Sequence, residues 1–132
     1  NLVFKKENGP MSDLFDITLP ILLSAVDKQN LQLKDLFRIR IGLVTRTPEP
    51  IVHPAHKDYH TPHKTGLYYL NQADGDTIIY NETKESDKYS VKESIEPKLN
   101  RWYNFDGAHY HSSTTPTQTE KRIVITFNYE TN

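Results

Sequence analysis

Histidine and aspartate residues in this 132-residue chain have the spacing of metal ligands. Four of the six histidines lie in one short stretch that includes His56, and the other two are His109 and His111. On an extended strand His56 and Asp58 would point to the same side. An imidazole and a carboxylate placed in this way supply two ligands of the 2-His-1-carboxylate set that holds non-haem Fe(II). Because the chain has no cysteine, its metal ligands have to be histidines and carboxylates.

The third ligand has to be a histidine distant in sequence. On a regular strand His109 and His111 would face the same side, so periodicity alone does not choose between them. Three protein ligands on one face of an octahedron leave three positions open, whereas a catalytic zinc usually keeps one. Three open positions accept both a bidentate anionic cosubstrate and dioxygen.

A candidate partner for such an anion lies on the last predicted strand. Arg122, Val124 and Thr126 share one face of that strand, and a buried arginine is costly unless its charge is met. The alternative is a solvent-facing arginine at a sheet edge. The spacing of eleven residues after His111 favours the inward orientation, in which the guanidinium can bind a carboxylate through two parallel hydrogen bonds.

Short strands separated by turn residues must position these groups. Their spacing of roughly ten residues is typical of a β-sandwich, jelly roll or barrel. A turn over residues 73–76 predicts a hairpin between the second and third strands. The strands are expected at residues 36–45, 66–71, 77–80, 89–95, 101–105, 108–112 and 122–129.

The N-terminal part, residues 1–35, is expected to be partly helical. Asp16 or Thr18 is the expected cap, Pro20 suits the first turn, and the helix should end near residues 29–30. We expect a single domain over residues 1–132, with the β core in residues 36–130. Because the chain opens on Asn1 and not on Met, we expect a preceding segment to have been removed.

Composition limits the classes of function. A hydrophobic fraction of 36% argues against a disordered chain, and a formal net charge of −1 argues against a general nucleic-acid binder. The longest apolar stretch, residues 19–26, is far short of a membrane span, and the first residues show no signal-peptide pattern. We therefore expect a cytoplasmic protein that binds a small molecule or a peptide, with no nucleic acid or membrane partner. Its oligomeric state stays open.

Together these residues resemble the Fe(II)/2-oxoglutarate-dependent dioxygenases, and most of all their prolyl-hydroxylase-like branch. A histidine-x-aspartate motif, a distal histidine about fifty-five residues later and an arginine eleven beyond it form a specific combination. The resemblance runs from about Arg38 to Tyr129. The matching segments are His56–Asp58, Leu67–Asn71, Gly75–Ile78, Ile95–Lys98, Arg101, Phe105–Asp106, His111 and Arg122–Thr126.

The resemblance implies a mainly β fold, a double-stranded β-helix or cupin-like jelly roll, with at least one N-terminal helix packed outside it. It implies that the metal ligands and catalytic residues are His56, Asp58 and His111, because the family pattern selects His111 over His109. His60 and His63, in the loop after the first two ligands, are expected to be solvated.

The resemblance also implies a cosubstrate site. The C5 carboxylate of 2-oxoglutarate would meet Arg122, with the Tyr69 hydroxyl as a second donor and Thr126 near the metal. Dioxygen is the other cosubstrate, and ascorbate is a candidate reductant. The implied reaction hydroxylates a peptidyl prolyl or other amino-acid C–H bond and releases succinate and CO₂.

Two alternatives come from other classes of protein. A cupin-like metal-binding protein or isomerase would share the jelly roll but would not need Arg122. A structural or interaction domain with incidental histidines would hold no stoichiometric metal.

Overall fold

The computed structural model describes residues Asn1–Asn132 as one helix and nine strands. The strands form two sheets in which every pairing is antiparallel. The elements in chain order are β1 (Leu2–Lys5), β2 (Gly9–Pro10), α1 (Phe15–Lys28), β3 (Leu33–Thr45), β4 (Lys64–Tyr69), β5 (Thr77–Tyr80), β6 (Val91–Ile95), β7 (Trp102–Asp106), β8 (His111–Ser112) and β9 (Lys121–Thr131).

The two sheets make a jelly roll, which confirms the predicted fold class. The large sheet has the order β2-β1-β3-β9-β4-β7, and the small sheet has the order β6-β5-β8. The segment before β4 runs beside β8 and the residues just after it through two isolated bridges, His56 to His111 and Val52 to Thr114. This segment therefore extends the small sheet by one irregular strand. No helix in the structure has the length and apolar content needed to cross a membrane.

Alternating side chains of β9 face two separate cores. Ile125 and Phe127 pack towards α1 on the outer face of the large sheet, in a cluster that also contains Leu22, Val26 and Ile39. The predicted outer helix is therefore confirmed. Val124 faces the small sheet instead, in a cluster with Leu67, Tyr69, Ile79, Ile95 and Phe105. Because side chains alternate along a strand, Arg122 and Thr126 share the inner face with Val124.

The helix begins earlier than its predicted caps. α1 starts at Phe15, and the Ser12 hydroxyl accepts a hydrogen bond from the Leu14 N–H just ahead of it at 3.1 Å. The prediction that Asp16 or Thr18 caps the helix is wrong. Thr18 is buried inside it and donates its hydroxyl proton to the Leu14 carbonyl at 2.8 Å. The helix ends at Lys28, close to the predicted position. The two short strands β1 and β2 were not predicted.

The predicted hairpin across residues 73–76 is wrong, because β4 and β5 belong to different sheets. The Asp74 carboxylate instead accepts hydrogen bonds from the N–H groups of Thr117, Gln118 and Thr119 at 2.8 to 3.1 Å. Desolvation opposes ionisation, but these bonds hold the pKa of Asp74 well below its usual range. Gly75 has φ +90°, and a Cβ there would lie 2.6 Å from a backbone oxygen. The turn therefore docks on the loop before β9.

Candidate metal centre and cosubstrate cavity

Three ligand-type side chains converge between the two sheets. The Nε2 atoms of His56 and His111 lie 3.4 and 3.5 Å from Oδ1 of Asp58, and the three donor atoms are within 4.8 Å of one another. Ligands bonded to a small divalent ion at about 2.1 Å and at right angles are about 3 Å apart. The donor types and their spacing therefore fit a divalent first-row metal bound on one face.

Backbone pairing brings the two histidines side by side. The N–H groups of His56 and His111 each donate to the other's carbonyl oxygen at 3.0 Å. The prediction that His56 and Asp58 lie on a regular strand is wrong, since this pairing is one isolated bridge. Pro54 lacks the N–H that a continued ladder would use. Asp58 reaches the same site because the chain bends there.

The ring orientation of both histidines leaves Nε2 free for a metal. Nδ1 of His56 lies 3.1 Å from the Pro54 carbonyl oxygen, and Nδ1 of His111 lies 3.4 Å from the His109 carbonyl oxygen. A carbonyl can only accept, so in each neutral ring the proton belongs on Nδ1 and the lone pair on Nε2. Metal-binding histidines are commonly oriented by a hydrogen bond of this kind.

His109 does not lie on the same strand as His111, because β8 begins at His111. It precedes β8 in a turn, and its Nδ1 donates to the Tyr80 carbonyl oxygen at 2.9 Å. The structure therefore separates the two candidates that strand periodicity left equivalent, and brings His111 to the cluster.

Asp58 has the most deeply buried side chain of the cluster, with 4% of it exposed, against 10% for His111. Desolvation opposes ionisation of this carboxyl. The facing His111 and His56 rings, when they are protonated, and the hydrogen bond from Asn128 nevertheless hold the pKa of Asp58 well below its usual range. The facing Asp58 carboxylate favours the protonated form of His56 and so raises its pKa, while burial acts in the opposite direction. The carboxylate is therefore anionic and able to bind a cation.

A cavity of about 260 Å³ joins the histidine cluster to Arg122. Arg122 is only 2% exposed, so it is not a solvent-facing residue. Its Nε donates to the Gly75 carbonyl oxygen at 2.8 Å and its Nη2 to the Thr77 hydroxyl at 2.5 Å. The other side chains that line the cavity include Leu67, Ser112, Val124 and Thr126.

The Arg122 guanidinium forms no ion pair within the protein. No carboxylate lies within 4.0 Å of its guanidinium, since the ion pairs of the chain all involve other residues. Burial lowers the pKa of Arg122, with Tyr69 and Asp76 acting in the opposite direction, but arginine stays protonated at neutral pH. Burying a cation without an ion pair costs stability, and an anion bound in the cavity would offset that cost.

The structure places Tyr69 and Thr126 differently. Thr126 lines the cavity, whereas Tyr69 is fully buried and does not. The Tyr69 hydroxyl is 2.7 Å from Oγ1 of Thr77, and its ring centroid is 5.7 Å from Cζ of Arg122. Burial also raises the pKa of Tyr69, so its hydroxyl stays neutral. Tyr69 therefore supports Thr77 and Arg122 from behind.

Of the two loop histidines predicted to be solvated, only His60 is exposed. His63 is 6% exposed and packs against the rings of Phe37 and Tyr59. A Cβ on Gly107 would lie 2.2 Å from the His63 ring. The His63 imidazole can therefore pack here because Gly107 has no side chain.

Sequence reasoning missed several residues around the cluster. His53 lines the cavity, and its Nδ1 is 2.7 Å from the Ser113 hydroxyl oxygen. Asn128 and Arg38 contact the far oxygen of Asp58. Asn128 continues the two-residue alternation of Arg122, Val124 and Thr126 along β9, which could have identified it. No comparable signal in the sequence points to His53.

Comparison with solved structures places the chain in a known fold group. It resembles a prolyl hydroxylase from Trichoplax adhaerens, solved in complex with a peptide fragment of the hypoxia inducible factor oxygen degradation domain, with TM-score 0.65 and 16% identity over 98% of this chain. It also resembles a cupin protein from Bacteroides fragilis, with TM-score 0.50 and 13% identity over 74% of this chain and 68% of that one.

The fold is therefore the one shared by this cupin protein and this prolyl hydroxylase. The chain spans 60% of the length of the prolyl hydroxylase. No known family signature matches the sequence, and neither does any curated protein.

Proposed function

We propose that the protein is an Fe(II)- and 2-oxoglutarate-dependent oxygenase. The observation that carries this proposal is the unpaired, buried Arg122 in the same cavity as His56, Asp58 and His111. A metal-binding protein without an anionic cosubstrate would not need a buried arginine without an ion pair, and burying it costs stability.

The charges of the cavity suit 2-oxoglutarate. Two neutral imidazoles and one carboxylate would leave a bound Fe(II) with a net charge near +1, which one carboxylate of a dicarboxylic acid can neutralise. The second carboxylate would neutralise Arg122. A guanidinium has five N–H donors, and two of those of Arg122 are used within the protein. The remaining donors can bind both oxygens of a carboxylate.

Each side chain then has a defined role. His56, Asp58 and His111 would hold the ion, and Arg122 would orient the cosubstrate, with Thr77 and Tyr69 fixing the guanidinium. Leu67 and Val124 are apolar walls that limit water in the cavity. Thr126 offers a hydroxyl beside them. When bound, the iron would supply activation of dioxygen, chemistry that no side chain of this protein can perform.

The overall reaction would consume 2-oxoglutarate, dioxygen and a C–H bond and release succinate, CO₂ and the hydroxylated product. A peptidyl prolyl or another amino-acid residue is the proposed substrate. The prolyl hydroxylase with a similar fold was solved with a peptide bound, which supports a peptide as the first class to test.

The experiment that tests the proposal is an anaerobic titration of the protein with Fe(II) and then 2-oxoglutarate. Bidentate chelation by 2-oxoglutarate should produce a visible charge-transfer band that saturates at one equivalent. The matched control is His111→Ala, which removes one predicted ligand. Stoichiometric metal binding with no affinity for 2-oxoglutarate would favour the cupin-like metal-binding protein or isomerase, and absence of stoichiometric metal would favour a structural domain.

A further inference from the structure

The two oxygens of the Asp58 carboxylate face different partners. Oδ1 faces the Nε2 atoms of His56 and His111 at 3.4 and 3.5 Å. Oδ2 accepts a hydrogen bond from Nδ2 of Asn128 at 2.9 Å and lies 3.5 Å from Nη2 of Arg38. Only one oxygen therefore points towards the space that the histidines enclose.

The Asn128 amide is held in the orientation that makes it a donor to Asp58. Nε of Arg38 donates to Oδ1 of Asn128 at 3.0 Å. A guanidinium has no acceptor, so the amide oxygen must face Arg38 and the NH₂ group must face Asp58. The same NH₂ group also donates to Oγ1 of Thr65 at 3.2 Å. Asn128 is fully buried, and a rotated amide would turn its NH₂ group towards Arg38, which cannot accept a hydrogen bond.

We propose that Asn128 and Arg38 are positioning residues that reserve a single oxygen of Asp58 for the metal. This inference rests on the proposed metal site and adds two residues to it. A carboxylate whose oxygens are both free can chelate a cation through both. On a six-coordinate ion that would occupy a fourth position and leave only two. With Oδ2 engaged by Asn128, three positions stay open for 2-oxoglutarate and dioxygen.

The inference is testable with Co(II) alone, which reports its coordination through its visible absorption spectrum. Asn128→Leu removes the donor at similar volume. We expect its Co(II) affinity to fall by about tenfold to a hundredfold, the usual effect of losing a group that orients a metal ligand. We also expect the visible band to change in shape or intensity, because the freed carboxylate can rotate.

Arg38→Lys is the second variant, and it keeps the positive charge while losing the planar fork that orients Asn128. The Arg38 side chain is 21% exposed, and lysine keeps its charge and most of its length, so we expect the variant to fold. We expect the same spectral change as in Asn128→Leu, with a smaller loss of affinity. If Asn128→Leu does not fold, Arg38→Lys decides the question.

Two controls separate positioning from general loss of stability. Phe127→Leu alters the neighbouring buried residue of β9 on the opposite face, and Arg101→Lys makes the same exchange at an arginine bonded to the Glu96 carbonyl. Both should keep the wild-type Co(II) affinity and spectrum. Wild-type affinity and spectrum in Arg38→Lys and in any folded Asn128→Leu would overturn the positioning role and leave the metal site standing. Failure of the wild-type protein to bind Co(II) would instead overturn the proposed function.

Discussion

Replacing Arg122 tests the cosubstrate site most directly. If Arg122 binds the C5 carboxylate of 2-oxoglutarate, Arg122→Ala removes at least one hydrogen bond between charged groups, which contributes roughly 1.5–3 kcal/mol. Since about 1.4 kcal/mol corresponds to a factor of ten, the dissociation constant of 2-oxoglutarate should rise by about tenfold to a hundredfold. Metal affinity should be kept, because Arg122 is not a ligand.

The structure also predicts the order of effects in related variants. Arg122→Lys keeps the charge but loses the paired bonds to Gly75 and Thr77, so its effect should be intermediate. Tyr69→Phe should have the smallest effect, because the Tyr69 hydroxyl contacts Thr77 and does not line the cavity.

The assay is equilibrium binding of 2-oxoglutarate under anaerobic conditions with the metal saturating. Thermal unfolding of each variant should be measured first, because Arg122→Ala leaves the Gly75 carbonyl without its partner. Arg101→Ala is the control, because it also removes an arginine that donates to a backbone carbonyl, that of Glu96 at 2.9 Å. A folded Arg122→Ala protein that binds 2-oxoglutarate as tightly as wild type would refute the assignment.

Three further predictions follow from the site and its supports. His111→Ala should abolish Co(II) binding while His109→Ala retains it, and a metal titration that gives the reverse order would contradict the ligand assignment. Asp74→Asn should lower the free energy of unfolding by about 1–2 kcal/mol near neutral pH. Because the folded-state pKa is depressed, this stabilisation is present above about pH 4 and is lost as the pH falls further, so denaturation curves of the two proteins should converge in acid. Gly66→Ala should lower the free energy of unfolding by about 1–3 kcal/mol, because the new Cβ would lie 2.3 Å from the Trp102 ring. It should also shift the fluorescence emission of Trp102, the only tryptophan. Unchanged fluorescence and stability would show that the ring moves aside freely.

Local sequence patterns predicted the strands of this fold better than they predicted which strands pair with each other. The alternation of Arg122, Val124 and Thr126 is read directly from sequence because strand geometry has a period of two, and the structure keeps that alternation on β9. The pairing of β4 and β5 was mispredicted because a turn sequence specifies a bend but not the sheet that each flanking strand joins. Asp74 accepts its hydrogen bonds from residues 117–119, a long-range contact that no local pattern in the sequence reveals.

In the candidate site, too, local features were predictable from the sequence and long-range contacts were not. His56 and Asp58 are close in sequence, so their proximity was predictable. The predicted strand, however, is only an isolated bridge at His56. Periodicity could not separate His109 from His111, because the turn before β8 that removes His109 from the strand is set by tertiary contacts such as its bond to Tyr80. Thr77 lines the cavity and Tyr69 lies behind it, and this order is set by packing that the sequence does not show.

The position of β9 in the large sheet has a consequence for how the protein is made. β9 pairs with β3 on one side and with β4 on the other, although it is the last strand of the sheet to be synthesised. Until then the nascent chain exposes two strand edges that can pair with other molecules. Contacts between such distant segments form slowly. We therefore expect refolding to be slow and yield to depend on concentration and chaperones, with the metal ligands assembling only after β9 inserts.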